Sequence, residues 1–122
     1  MRIRYLENTI DPRVRDFNQL IKSKFPKLLR EKNPELFLVA GGDGAMLHAI
    51  HQNINEQIPF LGKAMGTLNF LMNQFENDTE IIKKLLNDEQ EISCFSSNAI
   101  EVSMNGKKLG EAVNDVILGD KL

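Results

Sequence analysis

A single cysteine, Cys94, excludes an internal disulfide and a cysteine-built zinc site. It falls in a strand-like segment and reads as a buried, inert thiol. No apolar run approaches the roughly 20 residues that span a bilayer. The opening MRIRYLENT lacks the apolar core of a signal peptide, so a cytoplasmic location and no membrane partner are expected. An excess of one charge is also missing. Against 15 Lys and Arg stand 17 Asp and Glu, giving a formal net charge of −2. That balance argues against a polyanion-binding surface, and no basic run or aromatic platform suggests nucleic acid. His48 and His51 lie three apart on one expected helix with no third ligand beside them, so no metal is assigned there. The 122 residues are 42% hydrophobic and 26% charged, a globular composition with room for one core.

The stretch Leu36 to Ile50, LFLVAGGDGAMLHAI, organises the rest. Leu36 to Ala40 is an apolar run short enough for a strand buried on both faces. Gly41-Gly42-Asp43-Gly44 breaks it, and Ala45 to Gln52 reads as a helix with Met46, Leu47, Ala49 and Ile50 on its buried side. Strand, glycine turn and helix N-terminus form the layout with which open parallel sheets hold phosphates. Amide N–H groups can face an anion there because no Cβ stands in the way. A carboxylate inside such a site is costly unless it handles a proton or a cation, which singles out Asp43. The competing account is an ordinary turn with Asp43 capping the helix. The loop is neither a Walker sequence nor a dinucleotide GxGxxG.

Around this unit the chain alternates. Met1 to Leu6 reads as a first strand. Asp11 and Pro12 open a helix that runs to about Lys24 on Val14, Phe17, Leu20 and Ile21. Ile58 to Gly62 reads as a third parallel strand, and right-handed crossovers with a doubly wound sheet are expected. The ligand of such a sheet sits beyond the carboxyl ends of its strands, where both Gly41–Gly44 and Gly62–Thr67 fall. Lys63 to Asn73 (KAMGTLNFLMN) is apolar for a loop. Either it packs its own hydrophobes, or it walls a flat ligand with Phe70 as the stacking residue. Asp78 or Thr79 caps a further helix that buries Ile81, Ile82, Leu85 and Leu86. Ile100 to Met104, the turn Asn105-Gly106, and Lys107 to Leu118 then read as an antiparallel hairpin. The expected organisation is an α/β domain over residues 1–90, a Rossmann-like open parallel sheet with flanking helices. The opening antiparallel hairpin of a truncated β-rich domain follows over 91–122. A hairpin with open edges predicts self-association, and so a homo-oligomer.

Three segments together resemble the NAD kinase family: VAGGDGAML at Val39–Leu47, GTLNFLMN at Gly66–Asn73 and AVNDV at Ala112–Val116. The GGDG loop alone is also similar to that of diacylglycerol kinases, sphingosine kinases and phosphofructokinases. The resemblance implies a Rossmann-like domain, a β-rich domain and NAD between them. It also implies ATP or polyphosphate as phosphoryl donor, Mg²⁺, and oligomers. Carried over by position, Asp43 is the general base toward the 2′-hydroxyl of the adenosine ribose of NAD. Gly44 contacts NAD, Gly41 and Gly42 shape the phosphate loop together with Gly44, and Phe70 lines the nucleotide site. Asn114 and Asp115 hydrogen-bond the substrate. Three positions depart from the family pattern. Ala45 replaces a usual Thr and removes a hydroxyl at the helix start. Asn69 replaces a usual Gly, and Asp115 replaces Glu on a shorter arm. Family members are much longer, so little or no activity is expected of these 122 residues alone. The alternatives are a non-catalytic nucleotide-binding or assembly module, and a lipid or sugar kinase of the same superfamily.

Overall fold

A computed structural model of the chain describes residues 1–66, 70–95, 100–104, 107–112 and 116–117. Its centre is a parallel sheet of β1 (Ile3–Leu6), β2 (Leu36–Gly41) and β3 (Phe60–Ala64), with helices on both faces. The helices are α1 (Arg15–Lys24), α2 (Asp43–Gln52) and α3 (Asp78–Leu86). Beyond α3 come β4 (Cys94–Phe95), β5 (Ile100–Met104), β6 (Lys107–Ala112) and β7 (Val116–Ile117). β7 lies parallel to β3, and β4 pairs antiparallel with β7 at the far side of the same sheet. β5 and β6 pair antiparallel. The Asn105-Gly106 turn expected between them lies outside the described residues. The expected second strand to Leu118 is thus two strands, and the later one aligns Val116 and Ile117 with Phe60 and Leu61.

Every residue of β2 is buried, as an apolar strand at the middle of a covered sheet should be. Leu36, Leu38 and Ala40 face a core built with Ile3, Tyr5, α1 and α3. Phe37 and Val39 face a second core with α2, Phe60 and Met72. Since α1 and α2 cover opposite faces while the strands follow in the order β1-β2-β3, their crossovers have opposite hands. Two right-handed crossovers would have put both helices on one face. The expectation of right-handed crossovers therefore fails for one of the two.

The first helix begins with a 3-10 turn, Pro12–Val14, where the Asp11 side chain accepts from the Arg13 N–H at 2.9 Å. A Pro26–Leu29 3-10 turn ends it and tucks Leu28 into the core. β3 starts two residues later than expected. Register with β2 sets it, from Phe37 opposite Phe60 to Gly41 opposite Ala64. Asn77, rather than Asp78 or Thr79, caps α3, its side-chain oxygen accepting from the Glu80 N–H at 3.0 Å. Among the described residues no helix is long and apolar enough to cross a membrane.

Candidate active site

The glycine turn sits at the carboxyl end of β2. Gly41 has φ 140°, a backbone conformation that side chains rarely adopt. A Cβ there would stand 2.9 Å from Ala45 Cβ and 3.2 Å from Asn8 Nδ2, so space and dihedral both require glycine. Gly42 is the N-cap of α2, and its carbonyl accepts from the Met46 N–H at 3.2 Å. The helix therefore starts at Asp43, two residues before Ala45, with a carboxylate where the helix dipole favours one. At Gly44 a Cβ would meet nothing within 4 Å, which leaves that side of the turn open.

Asp43 joins the two loops. The Phe70 N–H donates to both of its carboxylate oxygens at 3.0 Å, and the Leu71 N–H donates to Oδ1 at 2.9 Å. This corrects a purely local picture of Asp43 as a helix cap, since its partners lie 27 and 28 positions away. The base of the second loop is tied separately. The Asn73 backbone N–H and side-chain Nδ2 both donate to the Gly62 carbonyl, at 2.8 and 3.1 Å. Ala64 N–H donates to the Asn73 carbonyl at 2.9 Å, and Met65 N–H to the Gly41 carbonyl at 3.0 Å. Met72 is buried over Gly62, where a Cβ would approach Met72 Cε to 2.8 Å and Met46 Cε to 2.9 Å. The loop thus packs part of itself, Met72 and Leu71, while Phe70 remains 84% exposed. The packing account holds for Met72 and Leu71, and Phe70 takes no part in that packing.

Four residues to which sequence reasoning gave no role at the site, Asn8, Asn18, Tyr5 and Lys63, shape the same edge. Asn8 accepts on Oδ1 from the Ile10 and Asp11 N–H groups, at 3.1 and 3.2 Å, and donates from Nδ2 to the Ala40 carbonyl at 3.2 Å. Its own carbonyl accepts from Asn18 Nδ2 at 2.8 Å, and Asn18 Oδ1 accepts from the Tyr5 hydroxyl. Burial, followed by the nearby Glu7 charge, pushes the Tyr5 phenol above its ordinary range. Lys63, only 13% exposed, pairs with Asp78 Oδ1 at 3.2 Å and lies between the Phe17 and Phe75 rings. The polar turn around Asn8 was visible as a turn, but its reach across to Ala40 has no local signal. Between this turn and α2 runs a groove of about 840 Å³, bordered by Asn8, Asp11, Gly44, His48 and Asn53.

The fold therefore brings Gly41, Gly42, Asp43, Gly44 and Phe70 to one sheet edge. Asn114, Asp115 and Asn69 lie outside the described residues. Among the described residues no group of three or more His, Cys, Asp or Glu is placed to hold a metal ion.

Residues 10–90 match the family described as ATP-NAD kinase N-terminal domain. The NAD kinase of Rickettsia bellii (strain OSU 85-389) is 38% identical over 69 residues, which cover 57% of this chain and 25% of that protein. That of Coxiella burnetii (strain RSA 493 / Nine Mile phase I) is 31% identical over 90 residues, covering 72% of this chain and 30% of the relative. That of Rickettsia africae (strain ESF-5) is 44% identical over 57 residues, covering 47% and 20%. The chain thus spans less than a third of the length of these curated relatives.

Proposed function

This chain belongs to the ATP-NAD kinase family, and on that premise we propose that it supplies the amino-terminal half of an NAD kinase site. The reaction is phosphoryl transfer from ATP or polyphosphate to the 2′-hydroxyl of the adenosine ribose of NAD. The observation that carries this reading is the position of the Asp43 carboxylate. It stands at the first turn of α2, beside the open Gly44 and bonded to the backbone N–H of the exposed Phe70. A ribose hydroxyl attacking phosphorus must lose its proton, and the rest of the work is positioning and charge neutralisation. Among the described residues Asp43 Oδ2 accepts only a shared N–H from Phe70, so it keeps lone-pair capacity for that proton, while Oδ1 is held by two amides. The amino end of α2 is suited to face phosphate oxygens.

Asn114 and Asp115 are proposed to bind the substrate. β5 and β6 are proposed as the opening strands of a β-rich domain that begins near residue 91. Among the described residues no group of side chains is placed to hold a magnesium ion. Mg²⁺ is proposed to enter with the phosphates of the donor. The chain covers less than a third of its relatives, so the activity is proposed for the longer protein and little or none for this part alone. A cytoplasmic homo-oligomer is the proposed working form.

The test is Asp43→Asn in the full-length gene product. Turnover of NAD to NADP is expected to fall about 10²- to 10⁴-fold, with NAD affinity kept. Unchanged turnover would remove Asp43 from the chemistry.

A further inference from the structure

We infer that Asp43 also builds the nucleotide site: its carboxylate is the strut that fixes residues 70–71 and presents the Phe70 ring as a shelf for a flat ligand. The nucleotide part rests on the NAD kinase reading; the strut itself does not.

Two consecutive backbone N–H groups converge on one carboxylate from a loop remote in sequence. Hydrogen bonds to a charged acceptor are roughly twice as strong as neutral ones. They act where the loop has least other support from its side chains. Leu71 is half-buried and Met72 fully buried, but Phe70 leaves 84% of its surface in solvent. Packing therefore does not hold the Phe70 backbone in place, whereas the bonds to Asp43 do. The strut is rigid at its other end too. Asp43 opens α2, whose Met46, Ala49 and Ile50 are buried against the sheet. The Asp43 carboxylate and the Phe70 backbone that share these bonds keep a fixed separation, so the Phe70 side chain projects from an anchored point, which suits a ligand whose sugar faces the carboxylate and whose ring covers the aromatic side chain. Asp43 is in this respect a positioning residue, and its loss affects binding as well as proton transfer.

The test compares Asp43→Asn with Asp43→Ala. The Asn side chain retains a carbonyl oxygen that can accept from both amides, and Ala retains nothing. In the 122-residue chain, amide hydrogen exchange at Phe70 and Leu71 is expected to rise roughly ten- to a hundredfold in Asp43→Ala, and much less in Asp43→Asn. Exchange at Leu38 and Val39 in β2 should not change. In the full-length gene product, Asp43→Ala is expected to lose about tenfold or more in NAD affinity, with Asp43→Asn close to the parent. Unchanged exchange at Phe70 and Leu71 in Asp43→Ala overturns the strut. Faster exchange with unaltered NAD affinity overturns its part in the nucleotide site. If Asp43→Ala loosens β2 as well, through-hydrogen-bond scalar couplings from the Phe70 and Leu71 amide nitrogens to the Asp43 carboxyl carbon decide the matter in the unaltered chain, and their absence refutes the strut. Parent protein that binds no NAD would refute the kinase reading and leave the exchange result standing.

Discussion

Two glycines of the same turn should respond oppositely to one added methyl. In Gly41→Ala the new side chain must accept φ 140°, a conformation that costs about 1–3 kcal/mol for a residue with a Cβ. It also places that carbon 2.9 Å from Ala45 Cβ, at the start of a packed helix that cannot retreat, and 3.2 Å from Asn8 Nδ2. Such overpacking adds about 1–3 kcal/mol. Moving Asn8 aside further weakens its 3.2 Å bond to the Ala40 carbonyl. Against a typical domain stability of about 5–15 kcal/mol, Gly41→Ala should be severely destabilising. Gly44→Ala meets no atom within 4 Å and sits in the first turn of α2, where alanine is favoured over glycine by up to about 1 kcal/mol. It should leave the fold as stable as before, or more so, while putting a methyl group on the open side of the turn and lowering nucleotide affinity. Urea unfolding of the chain, followed by circular dichroism, measures both. The midpoint should drop by about 1 M or more for Gly41→Ala and hold or rise for Gly44→Ala. Equal midpoints for the two variants would refute the geometry assigned to the turn.

Tyr5→Phe should cost about 1–3 kcal/mol, because it leaves the buried Asn18 Oδ1 without its hydroxyl donor. The same tyrosine predicts an alkaline dependence. Its phenol is raised in the folded protein by burial and then by Glu7, so the unfolded chain ionises first. The stability it contributes is intact below about pH 10 and is lost as pH rises beyond it. Unfolding followed above pH 10 should decline in the parent and flatten in Tyr5→Phe; parallel declines would count against the assignment. Lys63→Met keeps the stem between Phe17 and Phe75 but removes the ammonium from Asp78. Since Asp78 is 32% exposed and can still reach water, a double-mutant cycle with Asp78→Asn should give a coupling of only about 1 kcal/mol. A coupling near zero would mean that the ion pair contributes nothing to stability.

The parts of this fold legible in the sequence were those with a local cause. The apolar run at Leu36, the Asp11-Pro12 helix start and the Gly41–Gly44 break each carry their reason within a few residues. β3 and α3 were found but misplaced at their starts. Register against β2 draws Lys63 and Ala64 into the strand, and Asn77 competes with Asp78 and Thr79 for the cap. The opposite hands of the two crossovers are a property of the whole sheet that no segment expresses alone. At the site, Asp43 was identifiable by its presence in a glycine turn. Its bonds to Phe70 and Leu71, Asn8's bond to Ala40 and the sandwiched Lys63 were not, because each joins residues far apart in the chain.

The most direct test of the kinase reading is phosphorus NMR of a reaction containing the full-length gene product, NAD, ATP or polyphosphate, and Mg²⁺. The account predicts a new phosphate monoester on the 2′-oxygen of the adenosine ribose, absent when Asp43→Asn replaces the parent. A monoester found instead on an added lipid or sugar, or NAD recovered unchanged by an active phosphotransferase, would contradict it.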